Sequence, residues 1–146
     1  MTTEREFVPP ATGWVREQLA TIDAAGDTAA VTLNGMRVIV MEMKGARSGK
    51  WRRVPVMRAE HDGRYAVVAS HGGAPKHPAW YHNLVANPEI GLQDGTEVKP
   101  YRVRELAGDE RATWWERAVA AFPPYGEYAL KTDRVIPVLV AEPAAA

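Results

Sequence analysis

"RRVPVMRAEHDGRYAVVAS", residues 52–70, consists of two apolar, β-branched runs on either side of His61-Asp62-Gly63. An Asp-Gly pair accepts the positive φ angles of a tight turn, so the stretch predicts a β-hairpin. Pro55, inside the first run, cannot donate to a ladder and marks that strand as an edge or a bulged one. The signature recurs upstream in "TAAVTLNGMRVIVMEM" (28–43) around Asn34-Gly35, and downstream where "EIGLQ" (89–93) and "TEVKPYRVREL" (96–106) surround Asp94-Gly95. "RVIPVLVAE" (134–142) supplies a last strand.

Helical spacing interrupts these hairpins. "TGWVREQLATIDAAGD" (12–27) places Val15, Leu19 and Ile22 on one side, with Thr12 as N-cap and Gly26 as stop. "PAWYHNLVA" (78–86) is a short helix with Pro78 in its first turn, ended by Asn87-Pro88. "DERATWWERAVAAF" (109–122) is a helix in which Trp115, Ala118, Val119 and Phe122 share a face, with Trp115 read as its core tryptophan, and "PPYGEY" breaks it. The sum is six or seven mostly hairpin-connected strands with three helices inserted: an antiparallel barrel or strongly curled sheet. Residues 1–13 read as an arm and 14–146 as a single domain.

Bulk composition narrows the function classes. The 146-residue chain is 46% apolar and 25% charged, an ordinary globular balance. No apolar run approaches the roughly 20 residues that cross a bilayer, and "MTTEREFVPP" lacks a signal-peptide pattern, so a cytoplasmic protein is expected. With no cysteine, thiol chemistry and disulfides are excluded, and any redox role needs a bound cofactor. Charges balance at 18 of each sign, which disfavours nucleic-acid partners. Their distribution is uneven: residues 44–58 hold six cations and no acid, leaving 12 cations against 18 acids elsewhere.

Within that segment, "GARSGKWRRVP" (45–55) offers glycines, the Ser48 hydroxyl and the cations Arg47, Lys50, Arg52 and Arg53. Glycines let backbone amides approach an anion, and arginine forks grip phosphate or carboxylate oxygens in pairs. A solvated hairpin whose charges blunt an edge strand accounts for the run equally well. It is not a Walker A loop, because the glycine spacing is one short and Trp51 replaces the required hydroxyl residue. Further on, "YAVVASHGGAPKHPAW" (65–80) delivers Ser70 and His71 to Gly72-Gly73 and then, through two prolines, to a helix. Small residues at a strand end let a flat ring lie on the backbone; glycines that merely turn the chain read the same way.

Other chemistries are weaker. Ser70 and His71 point to opposite faces of an extended strand, and no G-x-S-x-G elbow is present, so a hydrolase pair is disfavoured. His77 and His82 lie about 140° apart around a helix with no carboxylate to complete a set, so no metal site is expected. Surface or capping roles suit these histidines better. Tyr125 and Tyr128, with i, i+3 spacing after two prolines, can stack on a planar ligand and offer hydroxyls, or simply fill the structure.

Taken together and in order, "GARSGKWRRVPV" (45–56), "DGRYAVVASHGGAPKHPAWYHNLVANP" (62–88) and "KTDRVIPVLV" (131–140) resemble the deazaflavin-dependent nitroreductase family. Those proteins are split β-barrels that use coenzyme F420. The resemblance implies a mainly β, α+β fold: a six- to seven-stranded antiparallel split β-barrel of the FMN-binding type with three to four helices. It places the coenzyme's phosphate and acidic tail on Arg47, Ser48, Lys50 and Arg52, and lays the ring along Pro55, Val56 and Met57 and along Ala69, Ser70, His71, Gly72 and Gly73. Trp80 and Asn83 support that loop. The family's commonest turn is Gly-Arg-Lys-Ser-Gly; with Ala46 and Arg47 here one cation is lost, and tail binding leans more on Lys50, Arg52 and Arg53.

The implied activity is hydride transfer from reduced F420 to a small electrophilic electron acceptor, such as a quinone, an enone or a nitroaromatic. Ser70, Tyr125 or Tyr128 would hydrogen-bond the acceptor oxygen as charge develops. Residues 1–13 lack a greasy amphipathic segment, which leaves at most a weakly peripheral enzyme at the inner face of the membrane. Split barrels often dimerise, so a homodimer stays open. Two rivals are an FMN-dependent oxidoreductase of the pyridoxamine-oxidase-like kind and a non-catalytic F420-binding carrier.

Overall fold

The computed structural model describes residues 7–10, 12–33, 35–70 and 76–144. Helix α1 (Gly13–Ala25) is followed by a 3-10 turn (Thr28–Ala30), then β1 (Thr32–Leu33), β2 (Met36–Lys44), β3 (Trp51–Met57), β4 (Glu60–His61) and β5 (Arg64–Val68). Helix α2 (Ala79–Ala86) leads into β6 (Glu89–Gln93) and β7 (Val98–Glu105). Helices α3 (Gly108–Ala121) and α4 (Pro124–Leu130) precede the last strand, β8 (Val138–Pro143).

All pairings between these strands are antiparallel, in the order β1-β2-β6-β7-β8-β5-β4, with β3 added on β2. The run 51–61 closes the sheet into a barrel. Its first part pairs along β2 from Lys44↔Trp51 to Val38↔Met57, and the Arg58 amide continues that seam by donating to the Arg37 carbonyl at 3.0 Å. One residue later the Ala59 carbonyl accepts from Ala66 at 2.8 Å, and β4 pairs with β5. A single stretch of chain therefore touches both ends of the sheet.

This passage explains how the observed hairpin differs from the one expected around 61–63. The turn is present, with Asp62 at φ 53° and Gly63 at φ 77°, but its first arm is only two residues long. The longer strand carrying Pro55 belongs to β2 and is an edge, as the proline requires. Splitting one run between two neighbours also raises the strand count to eight, two of them of two residues. The Asn34-Gly35 hairpin forms between β1 and β2, although Asn34 itself lies outside the described residues.

Alternation along β2 sorts the core into two layers. Ile39, Met41 and Met43 join Val67, Leu92, Val103 and Leu139 inside the barrel, while Val38 and Val40 join Val68 and Val140 under the helices. Burial on both faces is why these strands read as continuous apolar runs. The outer layer is covered by Leu19 and Ile22 of α1, Trp114 and Ala118 of α3, and Tyr125 of α4. Trp114, 3% exposed, is the core tryptophan of α3; Trp115, expected in that role, is only partly buried. The "PPYGEY" segment does more than end α3: Pro124 opens a fourth helix, where its missing N–H costs nothing.

One end of the barrel is tied by Asp94, in the β6–β7 turn. Its carboxylate accepts from the Tyr65 hydroxyl at 2.5 Å and from Arg58 at 2.8 Å. No helix among the described residues is long and apolar enough to cross a membrane.

Candidate functional site

The basic turn, residues 45–50, joins β2 to β3 at the end of the barrel opposite Asp94. The Gly45 amide donates to the Lys50 carbonyl at 2.8 Å, and the Lys50 amide donates to Ser48 Oγ at 3.1 Å. The hairpin closes so tightly that a Cβ at Gly45 would stand 2.7 Å from Ser48 Oγ, and Gly49 takes φ 67°. Helix α2 holds this turn from behind. Asn83 Oδ1 accepts from the Ala46 amide at 2.9 Å, and Asn87 Nδ2 donates to the carbonyls of Lys44 and Gly45 at 3.3 and 3.4 Å. Asn83 thus braces the basic turn, whereas the sequence reading gave it to the loop after β5.

The cations divide by strand face. Arg47, Lys50 and Arg52 form no ion pair with any described residue. Arg53 corrects its expectation: pointing the other way along β3, it forms a two-pronged pair with Asp23 of α1 at 2.7 and 2.8 Å, and its guanidinium lies 5.1 Å from the Phe7 ring centre. That hydrogen-bonded pairing holds the Asp23 carboxyl below its usual range. Arg53 is committed to fastening α1 and Phe7 onto β3.

The end of β5 brings Ala69 and Ser70 into burial, at 0% and 6% exposure. The Ala69 amide donates to the Pro137 carbonyl at 3.0 Å. His71, Gly72 and Gly73, expected to continue the ring bed, lie outside the described residues. Of the β3 residues assigned to the bed, Pro55 is half-buried, Val56 packs with Trp80 against the barrel interior, and Met57 turns into the helix-covered layer. Trp80 is therefore placed against the interior core together with Val54 and Val56.

The tyrosines separate as well. Tyr125 is 6% exposed, with its ring 5.0 Å from Phe122 and 6.3 Å from Tyr128, and burial pushes its hydroxyl pKa well up. It packs as a core side chain, the second of the two readings its spacing allowed. Tyr128 is only partly buried in the same cluster as Met57, with Lys131 Nζ 5.7 Å from its ring centre.

Three residues escaped the sequence reading. From the sequence, Asn87 reads only as a helix stop and His77 as a surface or capping group. Arg134 stood within "KTDRVIPVLV" without a role. In the structure Arg134 Nη2 donates to the Ser70 carbonyl at 2.6 Å, and Nη1 lies 2.9 Å from His77 Nδ1. None of these contacts leaves a periodic trace, because each joins segments more than 40 residues apart.

Cavities border the described chain near the basic turn and near Arg53. The larger, ≈ 700 Å³, opens beside the basic turn between Lys44, Trp51, Asn87 and Arg102. The smaller, ≈ 280 Å³, lies between residues 7–10, α1 and Arg53. Among the described residues no group of His, Asp and Glu could hold a metal ion.

Residues 14–143 match the family model described as F420H(2)-dependent quinone reductase. An F420H(2)-dependent quinone reductase of Mycobacterium tuberculosis is 31% identical over 105 residues, covering 70% of each chain. A solved F420-H2 dependent reductase (FDR-A) is 55% identical with a TM-score of 0.68, over 72% of this chain and 93% of that one. A second solved structure, described as a domain-swapped dimer, is 51% identical with a TM-score of 0.72, over 91% of this chain and all of that one.

Proposed function

Because the chain belongs to the F420H(2)-dependent quinone reductase family, we propose that it is an F420-dependent oxidoreductase reducing a small electrophilic acceptor of the quinone type. The observation that carries the reading is the basic turn. Arg47, Lys50 and Arg52 have no counter-ion among the described residues, yet the backbone that carries them is pinned by Asn83 and Asn87. Cations that meet no counter-ion among the described residues, on a turn braced by hydrogen bonds, fit a ligand bearing phosphate and carboxylate groups, as F420 does. Ala69 and Ser70, which follow β5, are small and carry no bulky side chain that would exclude a flat ring.

When bound, reduced F420 supplies a hydride, and the acceptor takes up a proton besides. The chain's own contribution is to hold and orient. Arg47, Ser48, Lys50 and Arg52 would bind the anionic tail, while the backbone of Pro55 to Met57 and of Ala69 and Ser70 would support the ring. Tyr128, or the Ser70 hydroxyl, donates a hydrogen bond to the acceptor oxygen as negative charge grows on it. Tyr125 packs behind Tyr128 and sets its position. We assign the acceptor side to α4, the catalysis to a cytoplasmic homodimer or monomer, and membrane contact to no more than weak peripheral association.

Titrating the purified protein with oxidised F420 and with FMN tests the coenzyme. F420 should bind and FMN should not; tight FMN binding with no response to F420 would overturn the reading. Mixing reduced F420 with menadione and a nitroaromatic tests the chemistry. Binding without faster oxidation of the coenzyme in either case would make the protein a carrier.

A further inference from the structure

Arg134 lies between α4 and β8, outside the residues assigned to coenzyme or acceptor. Its guanidinium donates from Nη2 to the Ser70 carbonyl at 2.6 Å, from Nη1 to the Ala69 carbonyl at 3.2 Å, and from Nη1 to His77 Nδ1 at 2.9 Å. Two of these acceptors directly precede segment 71–75, and the third follows it by two residues. A guanidinium is planar and rigid, so acceptors gathered on it are held at fixed separation.

The arginine is itself anchored. Its amide donates to Thr132 Oγ1 at 3.3 Å; nearby, Pro137 accepts the Ala69 amide at 3.0 Å and Ile136 accepts Arg111 at 2.7 Å. A surface arginine serving only solubility would not meet two consecutive main-chain carbonyls and a side chain from the next helix approach.

The contact also fixes the state of His77. A guanidinium can only donate, so Nδ1 must offer a lone pair and the ring proton must sit on Nε2. Around His77 stand the Arg134 cation, the Tyr81 ring at 4.9 Å, the His82 ring at 6.3 Å and Glu105, which accepts from the Tyr81 hydroxyl at 2.5 Å. Burial lowers the His77 pKa first, Arg134 and His82 lower it further, and Glu105 opposes them. The imidazole is neutral at neutral pH.

We propose that Arg134 and neutral His77 form a clamp that fixes the chain after β5, at Ala69 and Ser70, relative to the approach to α2, and so positions the two described residues proposed to support the coenzyme ring. Arg134 acts through Ala69 and Ser70 rather than on the reacting atoms. The part concerning the coenzyme rests on the function proposed above; the clamp itself does not. Protonating His77 removes its lone pair and sets two cations face to face, so the clamp opens in acid.

Two measurements on the full chain separate these parts. Without coenzyme, NMR of the histidine side-chain nitrogens, assigned with a His77→Gln spectrum, should show the Nε2-protonated tautomer and a His77 pKa below 6.5. Arg134→Lys should raise that pKa. A mixed tautomer or an unmoved pKa overturns the clamp whether or not F420 binds.

With oxidised F420, wild-type affinity should fall by about tenfold between pH 8 and pH 5, the scale of one lost charge-assisted hydrogen bond. His77→Gln keeps an acceptor that cannot be protonated; it should stay within about twofold of wild type at pH 8 and lose much of the acid decline. Arg134→Lys should weaken binding by about tenfold at pH 8 with a thermal midpoint within a few degrees of wild type. An undiminished acid decline in His77→Gln, or unchanged affinity in Arg134→Lys, overturns the positioning role. Failure of the wild type to bind F420 at all overturns the functional reading, and the NMR result then judges the clamp alone.

Discussion

Arg52 and Arg53 are neighbours in the chain with different duties. The first lies on the turn side of β3, where its Nε stands 3.8 Å from a Cβ built on Gly45, and the second is locked to Asp23. Replacing Arg52 with Ala should weaken F420 binding by about tenfold while leaving the melting temperature unchanged, as expected for one lost charged contact to a ligand. Arg53→Ala should do the reverse, leaving affinity nearly intact and lowering stability. The tyrosines divide in the same way: Tyr128→Phe should cut turnover with menadione by about tenfold or more at unchanged coenzyme affinity. Tyr125→Phe should leave turnover close to wild type, and steady-state kinetics on the two variants decide between them. The sequence singled out all four residues but could not say which way each points, because one residue of register along β3 or one turn of α4 moves a side chain from ligand to core.

At the scale of elements, the turn works because α2 holds it. Asn83→Ala removes the acceptor of the Ala46 amide, which should cost about 1 kcal/mol of stability and reduce F420 affinity several-fold although Asn83 carries no charge. Denaturant melts and titrations on that single variant check both. Helix α1 is fastened by Asp23 and Arg53, and here pH supplies the test. The folded carboxyl titrates below its ordinary 3.8, so the pair stabilises the fold above that value and its contribution disappears as pH falls through the lowered one. With Asp23 half exposed and screened by solvent, Asp23→Asn should cost at most about 1 kcal/mol at pH 7, and the difference from wild type should shrink toward pH 3. The hairpins at 34–35, 62–63 and 94–95 were legible because Gly and Asp announce positive φ locally. The fourth helix was not, since a proline pair reads equally as a stop and as a start.

At the scale of the whole molecule, strand pairing within hairpins could be read from the sequence, but the joining of the sheet's ends could not. The change of partner between Arg58 and Ala59 has no marker of its own, for "MRAE" continues an ordinary strand pattern. That single residue step gives the barrel an asymmetric tolerance to rewiring. A circular permutant whose new termini fall at Asp62-Gly63 breaks a two-residue turn between the short strand β4 and β5 and should fold with its F420 affinity preserved. New termini between Arg58 and Ala59 free both seams at once and should yield an opened sheet, seen as rapid amide exchange at Val38, Arg58 and Ala66 together.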